Sequence, residues 1–157
     1  DFSRAYAPFF SAVFGPHELA VAKPDDLAGK TIAVTRGTIE DTALTRLAPP
    51  SAAIKRYDDN AQTEIAFLSS QTELIATGNA VAADVLTKSL VKKTGIKFVL
   101  RNSPCHIGVN KDEPDLLARV DAVVAEALKD GRLDNVSRRW LKAPRGDPEH
   151  PDLPGVK

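Results

Sequence analysis

The sequence contains no methionine and one cysteine, Cys105, in 157 residues. A lone cysteine excludes an internal disulfide, and without a second thiol neither a cysteine-based zinc cluster nor a Cys-x-x-Cys redox motif can be assembled. The missing methionine implies that the chain is not an untrimmed translation product, so a leader or a larger piece is expected to have been removed. Net charge is missing as well. Twenty-one basic residues cancel twenty-one acidic ones, which leaves no overall field to draw the chain onto nucleic acid or an anionic membrane. No apolar run approaches the ~20 residues of a membrane-spanning helix, and no stretch has the basic and apolar regions of a signal peptide. Histidine is sparse: His17, His106 and His150 are scattered, without a carboxylate pair or an acidic-x-x-His spacing beside them. Neither a metal site nor a cofactor is expected.

What is present has the composition of an ordinary globular domain, 43% hydrophobic and 27% charged. Residues 9–21, rich in aromatic and β-branched side chains around Gly15-Pro16, suggest two short extended segments joined by a turn. After Pro24 the periodicity sharpens. Residues 31–35 alternate as a strand, 39–48 carry helical spacing up to Pro49-Pro50, and 53–57 alternate again. Asp58, Asp59 and Asn60 offer caps for a helix over 62–70, and a strand follows at 73–77. Asn79 then caps a longer helix with Val81, Val85, Leu86 and Leu90 on one face, ending near Thr94-Gly95. Strands are expected at 97–100 and 107–110. Helices alternating with short hydrophobic strands predict an α/β fold, a mostly parallel sheet flanked by helices.

The last third is helical. Pro114 suits a first turn, Leu116, Leu117, Val120, Val123, Val124 and Leu128 form one stripe, and Gly131 ends the helix. Leu133, Val136 and Trp140 mark a second helix, with Trp140 as its core anchor. These helices need an apolar surface, and no strands follow to supply one.

The stretch "DLAGKTIAVTRGTIED" (26–41) carries the chemistry. A strand that turns through Gly37 into a helix starting at Thr38 directs several backbone N–H groups toward one point, where an anion can sit. Arg36, Gly37 and Thr38 are therefore candidate ligand contacts. The alternative is a capping arrangement, with Thr38 as cap and Asp41 reaching back. Thr77, Gly78 and Asn79 end the next strand, on the same rim if the sheet is parallel, where ligands of open α/β sheets collect. Their alternative is a plain turn with Asn79 as cap. Phe2 and Tyr6 read as packing, Cys105 beside His106 as a structural thiol rather than a nucleophile, and Lys92, Lys93, Lys111, Asp112 and Glu113 as a solvated face.

Together four stretches resemble the bacterial extracellular solute-binding proteins of family 3, the polar amino-acid receptors of ABC importers. "DFSRAYAP" (1–8) is similar to the segment that enters the hinge in that family. "DLAGKTIAVTRGT" (26–38) is similar to its Asp-Leu-x-Gly-Lys-x-Val-Ala-Val-x-x-Gly-Thr signature. "SSQTELIATGNAVAADVL" (69–86) stands where the family has a Gly-x-x-Asp-Ala strand and a ligand-contacting aspartate. "CHIGVNKDEPDLLARVDAVVAEALKDGRLDNVSRRWL" (105–141) resembles its closing segment. The resemblance implies a type II periplasmic-binding-protein-like fold, two lobes closing on a ligand. On that template residues 1–24 are the hinge and lead-in strands, 25–110 the second lobe, 111–142 helices that pack on the first lobe, and 143–157 an irregular tail. The sheet of the first lobe, with the arginine that members use to clamp an α-carboxylate, is expected to lie upstream of Asp1.

The resemblance further implies a periplasmic or extracellular, non-enzymatic protein that binds a small polar solute, an amino acid or related anionic compound, for an ABC permease. Alternatives on the same fold are the sensor domain of a membrane receptor and a dehydratase-like enzyme. One departure stands out: Gly78 occupies the position of the aspartate that pairs with the ligand's ammonium group, so an ordinary α-amino acid needs Asn79 or Glu40 as a substitute. The uncovered stripe from Leu116 to Leu128 predicts self-association.

Overall fold

The computed structural model describes residues 1–88 and 93–146. The chain forms two compact units, one of Asp1–Phe9 with the described residues from Ser103 onward, the other of Phe10–Asn102.

The second unit is built on a five-stranded sheet in the order β3-β2-β4-β1-β5, from β1 (Phe10–Pro16), β2 (Thr31–Thr35), β3 (Ala53–Tyr57), β4 (Leu74–Gly78) and β5 (Thr94–Asn102). Helices α1 (Ile39–Leu47) and α2 (Asn60–Leu68) carry the chain from β2 to β3 and from β3 to β4. Crossovers of that length return the chain in the same direction, so β2 pairs in parallel with both β3 and β4. Helix α3 (Asn79–Lys88) follows β4 without an intervening loop. β1 is inserted antiparallel between β4 and β5. The sheet is thus mixed, with four strands pointing one way and β1 against them.

Both faces of the sheet are covered. Leu44 of α1 and Leu27 of a short 3₁₀ turn pack on one face with Val13, Ile32, Val34, Leu74 and Phe98. Ala66 and Phe67 of α2 with Ala82 and Val85 of α3 pack on the other, against Ala12, Phe14, Ala33 and Ile75. Successive residues of β4 alternate between these layers and all five are buried, the signature of a strand with helices on both sides. At the starts of β2 and β4, Glu73 accepts from the N–H of Thr31 at 3.0 Å and from its hydroxyl at 3.2 Å, which pins the two strands in register.

In the first unit, the leading residues bridge to the segment after β5 at Phe2–Gly108 and Ala7–Cys105. The N–H of Arg4 donates to Asp121 at 2.8 Å and so ties this segment to α4 (Pro114–Lys129). Gly131, at φ 81°, turns the chain into α5 (Arg132–Trp140). Val124 and Ser137 are buried, whereas Leu116, Val123, Val136 and Trp140 are exposed.

Several expectations change. Residues 9–21 hold one strand through Gly15-Pro16, because β4 and β5 supply ladder partners on both sides. Thr94 and Gly95 belong to β5 rather than to a helix end. Residues 107–110 contribute only an isolated bridge. Trp140 is 67% exposed, with the Arg139 guanidinium 5.5 Å from its ring centroid, because no described residue covers that side of α5. Phe2 is exposed too, edge-on to His106. Leu90, Lys92, His150 and residues 147–157 of the expected tail lie outside the described residues.

Candidate functional site

The two candidate corners are neighbours. β2 and β4 are adjacent and parallel, with Val34 level with Ala76, so Arg36-Gly37-Thr38 and Thr77-Gly78-Asn79 emerge side by side at one rim. This is the C-terminal edge of parallel strands, where helix N-termini also gather.

At the first corner the chain turns through Gly37 at φ 74°, a left-handed conformation that a side chain would strain. Thr38 caps α1: its hydroxyl donates to Thr35 O at 2.9 Å and accepts from the N–H of Asp41 at 3.3 Å. The Asp41 carboxylate reaches back to the N–H of Gly37 at 3.0 Å. It also receives Arg56 Nε at 2.8 Å and the Thr45 hydroxyl at 3.3 Å. The protein's own anion therefore occupies part of the nest. Burial works to raise the Asp41 pKa, but the bonds from Gly37, Arg56 and Thr45 together with the charge of Arg56 outweigh it and hold the carboxyl below the ordinary aspartate value. Arg36 faces outward in an exposed pair with Asp58 at 3.4 Å, a contact of little energetic weight. Within the first turn, the N–H groups of Ile39 and Glu40 find no acceptor among the described residues.

At the second corner Thr77 and Gly78 are buried ladder residues, opposite Ala12 and Ser11 of β1. Asn79 is buried at the start of α3, and its Oδ1 accepts from the N–H of Phe10 at 3.5 Å. Asn79 thereby joins the beginning of β1 to the end of β4.

Three further residues belong to this rim. Arg56 arrives from β3, level with Val34 of β2; only strand register brings it to Asp41, and periodicity does not report register. Glu40 is 7% exposed and Ser11 2%, and no described residue bonds to either side chain. The one sequence signal for them is a polar residue on an otherwise apolar face. Elsewhere, His106 Nδ1 lies 2.7 Å from Ser3 O, in a contact with the backbone rather than with Cys105. No group of three or more potential metal ligands occurs among the described residues.

No family model matches the chain. The L-cystine-binding protein TcyJ of Escherichia coli K12 is 28% identical over 147 residues, 91% of this chain and 54% of that protein. The chain is thus similar to bacterial solute-binding proteins. Another solute-binding relative, the ABC transporter glutamine-binding protein GlnH of Bacillus subtilis, is 24% identical over 90% of this chain and 52% of its own length. A polar amino acid ABC uptake transporter substrate binding protein from Streptococcus thermophilus has the same fold, with a TM-score of 0.71 at 16% identity, covering 94% of this chain and 59% of that one. The chain spans about half the length of the curated solute-binding relatives it matches. The fold is periplasmic-binding-protein-like, and these relatives are named for binding, not for catalysis. Among the described residues no helix is long and apolar enough to cross a membrane.

Proposed function

We propose that the chain forms the ligand-gripping lobe of a periplasmic or extracellular receptor that binds a small polar solute, an amino acid or a related compound, for import by an ABC permease. The observation that carries this reading is the adjacency of the two strand-to-helix corners on one rim. The ligand contacts are Arg36, Gly37 and Thr38 with Thr77, Gly78 and Asn79. Because the amide of Gly37 already serves Asp41, the anion-binding part of the first corner is carried by the N–H groups of Ile39 and Glu40, at the positive end of α1. A solute held there and touched by a facing lobe stabilises the shut state through contacts that the open state lacks. No bond is made or broken.

The exposed stripe that includes Leu116 and Val123 supports self-association as a second partner reading.

A ¹⁵N–¹H NMR titration of this chain with L-cystine, L-glutamine, dicarboxylates and cyclic acids tests the proposal. The expected result is saturable shifts of the Ile39, Glu40 and Asn79 amides, at the weak affinity of a single lobe. Saturable shifts confined to α4 and α5, or no shifts at millimolar solute, would overturn it.

A further inference from the structure

The outer face of α4 is neither plainly apolar nor plainly charged. Asp115, Arg119, Ala122, Glu126 and Lys129, spaced four and three residues in turn, run down the middle of its exposed arc. Beside them runs a second row at the same spacing, Leu116, Val120, Val123 and Ala127, in which Leu116 is 43% exposed and Val123 61%. The side chains of Asp115, Arg119 and Lys129 bond no described residue, and Glu126 has only an exposed pair with Arg132 at 3.2 Å. Next to this face an apolar trough of about 240 Å³ is lined by Ile107, Arg119, Val120, Val123 and Val124.

The order of the charges decides what can cover such a face. Down the helix the row is acidic, basic, alanine, acidic, basic; turned end for end it is basic, acidic, alanine, basic, acidic. A surface of one sign would repel two of the four charges wherever it lay. A second copy of the helix running parallel in the same register would set every charge against its like. Rotation by half a turn about an axis beside Ala122 instead brings Arg119 opposite Glu126 and Asp115 opposite Lys129, each contact made twice by symmetry. The same rotation layers Val120 on Val123 and Leu116 on Ala127, and it sets the two helix dipoles antiparallel. Exposed ion pairs are individually weak, so the charges choose the direction of the partner while the apolar row supplies the attraction.

We propose that the chain pairs with a second copy of itself through α4, the two helices antiparallel about Ala122, with Val123 of each copy seated in the trough of the other. The proposal rests on the self-association reading and narrows it to one face and one orientation. Helix α4 has 16 residues and is about 24 Å long, so the contact is short and the pairing reversible.

Sedimentation velocity of the intact chain over a range of concentrations tests this, with Arg119→Glu, Glu126→Arg, their double exchange, and an equimolar mixture of the two single variants. Circular dichroism checks that each variant stays folded. The wild type is expected to pair with a dissociation constant on the order of 10–100 μM. Each single variant sets like charges together at two places and should weaken pairing about tenfold. The double exchange restores opposite charges without changing the net charge and should recover the wild-type constant. In the mixture, one chain carries two acidic side chains and the other two basic ones at these positions, so mixed pairs should form at least as tightly as the wild type. A double exchange as weak as the single variants, or single variants that pair like the wild type, overturns this geometry and leaves self-association standing. A wild type that stays single at millimolar concentration leaves the face to some other polypeptide and removes both the self-association reading and this proposal.

Discussion

Val85 of α3 and Val123 of α4 are the same side chain on two amphipathic helices, yet the first is 1% exposed and the second 61%. In the second unit the sheet that α3 needs is made by the same stretch of chain, so its apolar face closes on Phe14, Ile75 and Phe67. In the first unit the described residues offer α4 and α5 only a short leading segment with two isolated bridges. An amphipathic helix is half of an interface, and its pattern says that a partner is required without saying which atoms provide it.

The largest expected effect belongs to the closed unit. Phe67→Ala empties a fully buried site between α2 and the sheet and should cost about 3–5 kcal/mol. Hydrogen exchange read by mass spectrometry should show the loss in β2 and β4, with α4 unchanged. Equal loss in α4 would mean that the two units unfold as one block, and the contrast between them would fail.

A smaller effect is expected at the rim. Asp41→Asn weakens the bonds from Gly37 and Arg56 and should destabilise the second unit by about 1–3 kcal/mol at neutral pH. The Asp41 pKa is depressed in the folded chain, so its contribution is present above the unfolded value, about 4, and disappears as pH falls through the lower folded value. The stability gap between wild type and variant, from urea unfolding at several pH values, should therefore be full at pH 7 and shrink only below about pH 4. A gap that instead opens on acidification would contradict the pairing.

The smallest effect on folding belongs to the open unit. Val123→Ser combined with Trp140→Ser changes exposed side chains and should alter stability by no more than about 0.5 kcal/mol. Light scattering should nevertheless report a shift from paired to single chains. An unchanged mass would exclude this face from self-association.

Much of the second unit was legible because its determinants are local. The β2-Gly37-Thr38-α1 corner announces itself by a switch of period across one glycine, and the back-reaching Asp41 by its spacing from Thr38. Asp59 at the start of α2 and Gly131 between α4 and α5 were visible for the same reason. Non-local facts were not. That β1 runs antiparallel in the interior of the sheet, that Arg56 lies level with Val34, and that Ser11 faces Gly78 all follow from register, which no single segment encodes. Trp140 was misread because burial depends on a covering surface that the helix does not carry.

The margins of the sheet bear on how this protein behaves when concentrated. β3 borders one side with Lys55 and Arg56 exposed along it, and β5 borders the other with two irregularities in its pairing to β1. Charges and kinks of this kind deny an incoming strand a flat ladder to extend. Aggregation by strand addition, and the amyloid-dye signal that accompanies it, is thus discouraged at both margins. Among the described residues, the large apolar side chains Val123, Val136 and Trp140 of α4 and α5 are left open to solvent instead.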